Sequence, residues 1–266
     1  MDLISVNREK CIQCGICVKI CPPMILSMEE NGPQVVNPKA CIACGHCVAV
    51  CPNMAIDNIR TPRANQVTLK NFPVIDATTA QQFLRSRRSI RCYKNTKVPR
   101  EQLLKLVDIA RFAPTASNKQ GISYIIVEDP KILKKVTEVT IQWMEANQSQ
   151  WWSFPIHIRA YREHGIDGIL HSAPNLIIAT ALKDFKNSRE NTMLSFSYLE
   201  LFANTLGLGS AWAGLIEMCA SSKYYPLLEL FNIPDDKKLT GAVMVGYPQY
   251  SFQRLVDRNP LDVTWM

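Results

Sequence analysis

Hydrophobic periodicity is clearest in the second half of the chain. Leu103, Leu106, Val107 and Ala110 recur at i, i+3, i+4 and i+7, which predicts a helix that starts near Pro99 and is stopped by Pro114. "SYIIVED" (123–129) predicts a strand, and "PKILKKVTEVTIQWMEAN" (130–147) a helix with Pro130 at its start. "NLIIATAL" (175–182) is apolar without interruption and predicts a buried strand. "ENTMLSFSYLELFANTLGLG" (190–209) is apolar almost all round and ends at Gly207, so it predicts a helix running through the core. A strand near 209–214, a helix from about 222 to 231 and the strand "LTGAVMVGY" (239–247) complete the pattern. Thr79, with Gln82 three residues on, reads as a capping box opening a short helix. Mixed strands and helices in this order predict an α+β domain over 80–266. The aromatic-flecked tail 248–266 is expected to wrap something, such as a partner subunit.

The first sixty residues carry no such period and repeat instead. "CIQCGICVKICP" begins at Cys11 and "CIACGHCVAVCP" at Cys41, and each reads C-x2-C-x2-C-x3-C-P. Closely spaced thiolates on a turning backbone reach three corners of one cubane, and the fourth cysteine turns to the other cluster. That assigns Cys11, Cys14, Cys17 and Cys51 to one [4Fe–4S] cluster, and Cys41, Cys44, Cys47 and Cys21 to a second. Gly15 and Gly45 permit tight turns, and Pro22 and Pro52 close the loops. Zinc would accept paired cysteines but does not call for a duplicated third and fourth. Disulfides need an oxidising compartment. Residues 1–60 resemble a bacterial-type two-cluster ferredoxin, a ferredoxin-like domain stapled by its clusters. Residues 61–79, with their prolines and no period, are expected to be a linker.

Composition adds a boundary. The net charge is +7, but residues 1–60 hold five basic and five acidic side chains, so the excess lies wholly downstream. No apolar run is long enough to span a bilayer and no leader-like apolar stretch opens the chain, so a cytoplasmic protein with no membrane association is expected. The basic surplus is spread thinly, a weak footprint for nucleic acid, and none is expected as a partner.

One stretch concentrates charge. Arg85, Arg87, Arg88 and Arg91 fall within seven residues of "RSRRSIRCY" (85–93), and guanidinium forks suit a phosphate monoester. No G-x-G-x-x-G follows a strand, and neither a P-loop lysine motif nor H-E-x-x-H occurs. A domain joined to single-electron clusters needs a group able to accept electrons, and a flavin collects them singly and delivers them in pairs.

"RRSIRCYKNTKVPREQLLKLVDIARFAPTASNKQ", "GLGSAWAG", "VMVGYP" and "RNPLDVTW", in this order, resemble nitroreductase-like FMN proteins over about 80–266. The resemblance implies a mixed or antiparallel sheet flanked by helices, and a homodimer with FMN between subunits. It implies that Arg87, Arg88, Ser89 and Arg91 hold the phosphate and ribityl chain, with Arg258 closing over the phosphate. Pro114, Thr115, Ala116 and Asn118 would come from the partner subunit to border the flavin ring. Backbone amides at Gly214 and Leu215 would lie near its N5. The chain departs from the family after Gln120, where Gly121 and Ile122 stand in place of a common proline with tryptophan or histidine, and at Gly214 or its neighbour, where an acidic residue is often seen. Residues 148–172 match nothing recognisable and fall where such proteins vary a substrate lid.

The expectation is an FMN-dependent oxidoreductase taking electrons from a low-potential donor to a small organic acceptor such as a nitroaromatic or quinone. Alternatives keep the cofactors and change the chemistry, to reductive dehalogenation or enoate-type reduction, or make the protein a non-enzymatic electron carrier or redox sensor. Trp151, Trp152 and Trp212, and His157, His164 and His171, are candidates for substrate contact or proton donation, against the commoner reading as packing or surface. His46 is expected to be mildly exposed. Cys92 and Cys219, left over once two clusters are filled, are expected to be small buried hydrophobes, and Arg85 to face solvent.

Overall fold

The thirty-residue repeat is carried into the backbone. In the computed structural model, which describes residues 2–69 and 71–266, three left-handed positions recur at that offset: Gln13 and Ala43, Gly15 and Gly45, Met24 and Met54. Gly15 (φ 76°) and Gly45 (φ 74°) each precede a one-turn helix, α1 (Ile16–Lys19) and α2 (His46–Ala49), so each loop turns where glycine bears the strain. Met1, and Lys70 within the expected linker, lie outside the described residues.

The chain forms two compact units, Met1–Val74 with Ser117–Lys119, and Ile75–Ala116 with Gln120–Met266. In the first, β1 (Ile4–Val6) pairs antiparallel with β4 (Ile56–Asn58), and β2 (Leu26–Glu29) with β3 (Gly32–Val35). Its core is small: Leu3, Cys17, Ile25, Leu26 and Ile56. Strand β4 left no mark in the sequence pattern, because three residues are too few to show alternation. The Asp57 carboxylate then accepts the Arg63 N–H at 2.8 Å, and the Arg60 guanidinium donates to the Cys41 carbonyl at 2.8 Å, so the start of the expected linker is tied down.

The second unit begins with α3 (Ala77–Ser86) and α4 (Arg100–Ala110), followed by β5 (Ser123–Val127), α5 (Pro130–Ala146) and α6 (Phe154–His164). Then come β6 (Asn175–Leu182), α7 (Ser188–Thr205), β7 (Gly209–Trp212), α8 (Gly214–Ser221), α9 (Tyr225–Leu230) and β8 (Lys237–Gly246). The sheet runs β5-β6-β8-β7 and is antiparallel throughout. Alternation along β6 sends Leu176 and Ile178 to one core with α5, α6, α8 and α9, and Ile177 and Ala179 to another with α4 and α7. Buried on both faces, β6 reads as one apolar run despite its antiparallel neighbours. The fold class is therefore the expected α+β, with helices on both faces of an antiparallel sheet.

Four details differ from the sequence reading. The first helix of this unit is capped by Asp76, whose carboxylate accepts the Thr79 N–H at 3.0 Å, and not by a Thr79 box. Helix α6 was not expected: it meets the core with only Phe154, Ile158 and Tyr161, at i, i+4 and i+7, and of these only Phe154 is fully buried. Helix α8 occupies part of the stretch read as strand to 214, and the helix expected from about 222 starts at Tyr225. Helix α7 is apolar all round but not buried all round, since Met193, Leu194 and Tyr198 are 49%, 43% and 42% exposed.

Candidate functional site

In the first unit the eight repeated cysteines stand around two separate cavities. Cys11, Cys14, Cys17 and Cys51 line one; Cys21, Cys41, Cys44 and Cys47 line the other. The groupings are those expected from spacing, with the fourth cysteine of each run crossing to the other set. Among the described residues no three His, Cys, Asp or Glu side chains converge as ligands of a single ion, and each quartet encloses a volume instead. Burial, reinforced by neighbouring cysteines, pushes the Cys17 and Cys47 thiols up. Crowded buried thiols are poor free thiolates and good ligands for a cationic centre. The Ala55 N–H donates to Cys51 Sγ at 3.2 Å, the kind of bond that orients a ligating sulfur.

In the second unit the arginine stretch leaves α3 and runs beside β7. Ser89 bridges to Ser210, the Ile90 N–H donates to the Ser210 carbonyl at 2.9 Å, and the Tyr93 hydroxyl donates back to the Ile90 carbonyl at 2.7 Å. Arg87, Arg88 and Ser89 are half-buried and Arg91 is exposed. Arg85 is exposed as expected, yet lies 3.7 Å from Asp257 of the tail, while the Arg88 guanidinium sits 5.7 Å from the Phe252 ring centre. Arg258 follows directly after Asp257 in the exposed tail, next to a residue that reaches the arginines.

Strand β7 continues through Ala213 to Gly214, the first residue of α8. A Cβ at Gly214 would meet nothing within 4 Å, so this helix start is open. It borders a cavity also lined by Trp143, Arg189, Glu217 and Thr240. Leu215 is half-buried. Arg189 donates to Glu217 and to the Thr240 carbonyl, both at 2.7 Å, and lies 5.2 Å from the Trp212 ring centre. Of the "PTASN" stretch, Pro114 and Ala116 are exposed, Thr115 is half-buried, and the Ala116 N–H donates to Asn191 Oδ1 at 3.2 Å. Asn118 adopts a left-handed backbone, φ 52°.

Residues 84–247 match the nitroreductase family, and residues 3–52 match a 4Fe-4S dicluster domain. The chain belongs to the nitroreductase family. It is similar to a putative NADH dehydrogenase/NAD(P)H nitroreductase of Archaeoglobus fulgidus, at 30% identity over 63% of this chain and 84% of that one. It is also similar to an iodotyrosine deiodinase of Thermotoga neapolitana, at 26% identity over 62% of this chain and 86% of the relative. Among solved structures, an FMN-dependent nitroreductase of Clostridium difficile R20291 superposes with TM-score 0.50 and 25% identity, covering 68% of this chain and 94% of that one. This chain is thus an oxidoreductase of the nitroreductase family carrying an N-terminal 4Fe-4S dicluster domain. No described helix is long and apolar enough to cross a membrane.

Within this nitroreductase unit the structure corrects one single-residue expectation and adds four residues. Cys219 is buried, its thiol pushed up to about 12, as a packing cysteine should be, but Cys92 is exposed beside Arg91 and fills no space. Trp151 and Trp152 are exposed, while Trp212 packs edge-on against Phe196. Burial lowers His157 and His171, while His164 faces solvent, as does His46 of the first unit. The additions are Glu200, Asn191, Arg189 and Glu217. A polar residue in the middle of an apolar helix, such as Glu200 within "YLELFAN", was the available signal for the first.

Proposed function

We propose that this nitroreductase-family protein takes low-potential electrons in at two [4Fe–4S] clusters, passes them to FMN and delivers them to a small organic acceptor such as a nitroaromatic or quinone. Cys11, Cys14, Cys17 and Cys51 hold one cluster, and Cys21, Cys41, Cys44 and Cys47 the other. The observation that carries the flavin reading is the run Arg87–Arg91 lying along β7, the strand that leads directly into the open helix start at Gly214. One strand edge thereby presents guanidinium forks at one end and free backbone amides beside a cavity at the other, which is what a phosphate and a flat ring joined by a short polar chain require. Bound FMN supplies a centre that accepts electrons singly and releases them in pairs.

Arg87, Arg88, Ser89 and Arg91 bind the phosphate and ribityl chain, and Arg258 closes over it from the tail. Gly214 and Leu215 donate backbone N–H groups at the reacting edge. Pro114, Thr115, Ala116 and Asn118 border the ring from a second copy of the chain, so the working form is a homodimer. The exposed apolar stripe of α7 and the exposed tail support that assembly.

Anaerobic reduction by NADH, NADPH or a reduced ferredoxin, watched at flavin and cluster wavelengths, tests the electron path. Cluster and flavin bands should bleach together with a low-potential donor, and a nitroaromatic or quinone should reoxidise them. Clusters that reduce while the flavin stays oxidised would refute it. The deiodinase relative favours a second reading, reductive dehalogenation, which a halophenol in the same acceptor panel tests by halide release. Reoxidation by no organic acceptor would leave only an electron carrier.

A further inference from the structure

Glu200 is a buried carboxylate, 6% exposed, in the middle of α7. Its Oε1 accepts the Ser210 hydroxyl at 3.1 Å and its Oε2 the Trp212 indole N–H at 3.1 Å, while Arg87 Nη1 lies 3.7 Å from Oε1. Two donors held on two separate oxygens call for a carboxylate, because an amide would turn its one oxygen to one of them and an N–H to the other. A full charge at this depth is costly to desolvate and is retained only where a cation answers it. That cation is Arg87, half-buried and placed just where α3 ends. With Nη1 turned to Glu200, the Nε–Nη2 edge of the fork is left to meet an oxyanion bidentately.

We propose that Glu200 is a positioning residue that fixes the Arg87 guanidinium and thereby gives the flavin site its preference for a phosphorylated flavin. The inference rests on the reading of Arg87 as a phosphate ligand. Glu200 touches no part of the flavin itself and acts through the fork. It also grips Ser210 and Trp212, so the strand beside Ser89 and the fork beside the phosphate are held by one side chain.

The test is a titration of the full-length protein, clusters intact and flavin removed, with FMN and with riboflavin under anaerobic conditions. Arg87→Ala should weaken FMN while leaving riboflavin unchanged; an unaltered FMN preference there overturns the phosphate reading itself. Glu200→Gln should weaken FMN about tenfold, the size of a lost charge-assisted contact, and add nothing in the Arg87→Ala background. If Arg87→Ala abolishes the preference and Glu200→Gln keeps it, or weakens both flavins alike, the positioning role is overturned. Should Glu200→Gln fail to fold, Arg87→Lys decides: it keeps the charge without the fork, and retention of the full FMN preference overturns the proposal.

Discussion

Glu217 shows how the site reads at the scale of one residue. Burial pushes its carboxyl up, against the pull of the Ala242 N–H that donates to it at 2.9 Å and of Arg189. Above the ordinary carboxylate value the unfolded chain has lost a proton that the folded chain still holds. The stability this group contributes is therefore complete below that value and declines as pH rises toward the raised one. Glu217→Gln removes the dependence. The difference in melting temperature, wild type minus variant, should fall as pH rises from about the carboxylate range, followed by tryptophan emission, since all five tryptophans lie in the second unit. A pH-independent difference would show that Arg189 fully compensates burial. Glu217 was illegible beforehand because it lies three positions after Gly214 with no motif around it. Its partners come from α7 and β8, which only the fold brings near. The arginines were legible because a dense charge run is local information. Cys92 was misread for the same reason, since burial is never local.

Elements were legible to the degree that one face of each met a core. Strands β6 and β8 and helix α5 sit almost where the hydrophobic run or period placed them, whereas α6 meets the core with only Phe154, Ile158 and Tyr161, too short a stripe to stand out in the pattern. Helix α7 had the opposite defect: its sequence is apolar on every side, so the pattern could not say which face meets the sheet. The structure turns Phe196 and Leu199 inward, and Phe196 lies against Tyr124 and Trp212 with ring centres 6.4 and 5.3 Å away. Gly241 of β8 completes that contact, because a Cβ there would come within 2.6 Å of Thr192 Cγ2 and 3.0 Å of Phe196. Gly241→Ala should therefore destabilise the second unit by ~1–3 kcal/mol through overpacking, and Tyr198→Ala, on the exposed face, by well under that. Denaturant midpoints with tryptophan emission measure both. A tolerated Gly241→Ala would mean α7 can lift from the sheet, and Glu200 with it.

At the scale of the molecule, the two units owe their folds to different causes. The second has two extensive cores on either side of its sheet. The first has Leu3, Cys17, Ile25, Leu26 and Ile56 as its buried core, one of which is itself a cysteine of the repeat, around two cavities ringed by thiols. A unit of that size with so little apolar burial is near the limit of self-sufficiency, and ligation energy becomes folding energy when the ligands cannot assemble without the metal. Removing iron with a chelator and a mild oxidant, thiols kept reduced, should therefore abolish hydrogen-exchange protection in β1 to β4. The pairing of β6 with β8, buried on both faces by side chains alone, should keep its protection, and tryptophan emission should stay unchanged. Persistent protection in β1 to β4 without iron would show that the small core suffices. Loss of protection in both units together would show that the second depends on the first for its fold. The expected outcome is a chain whose dicluster unit melts with its metal while the nitroreductase unit stands.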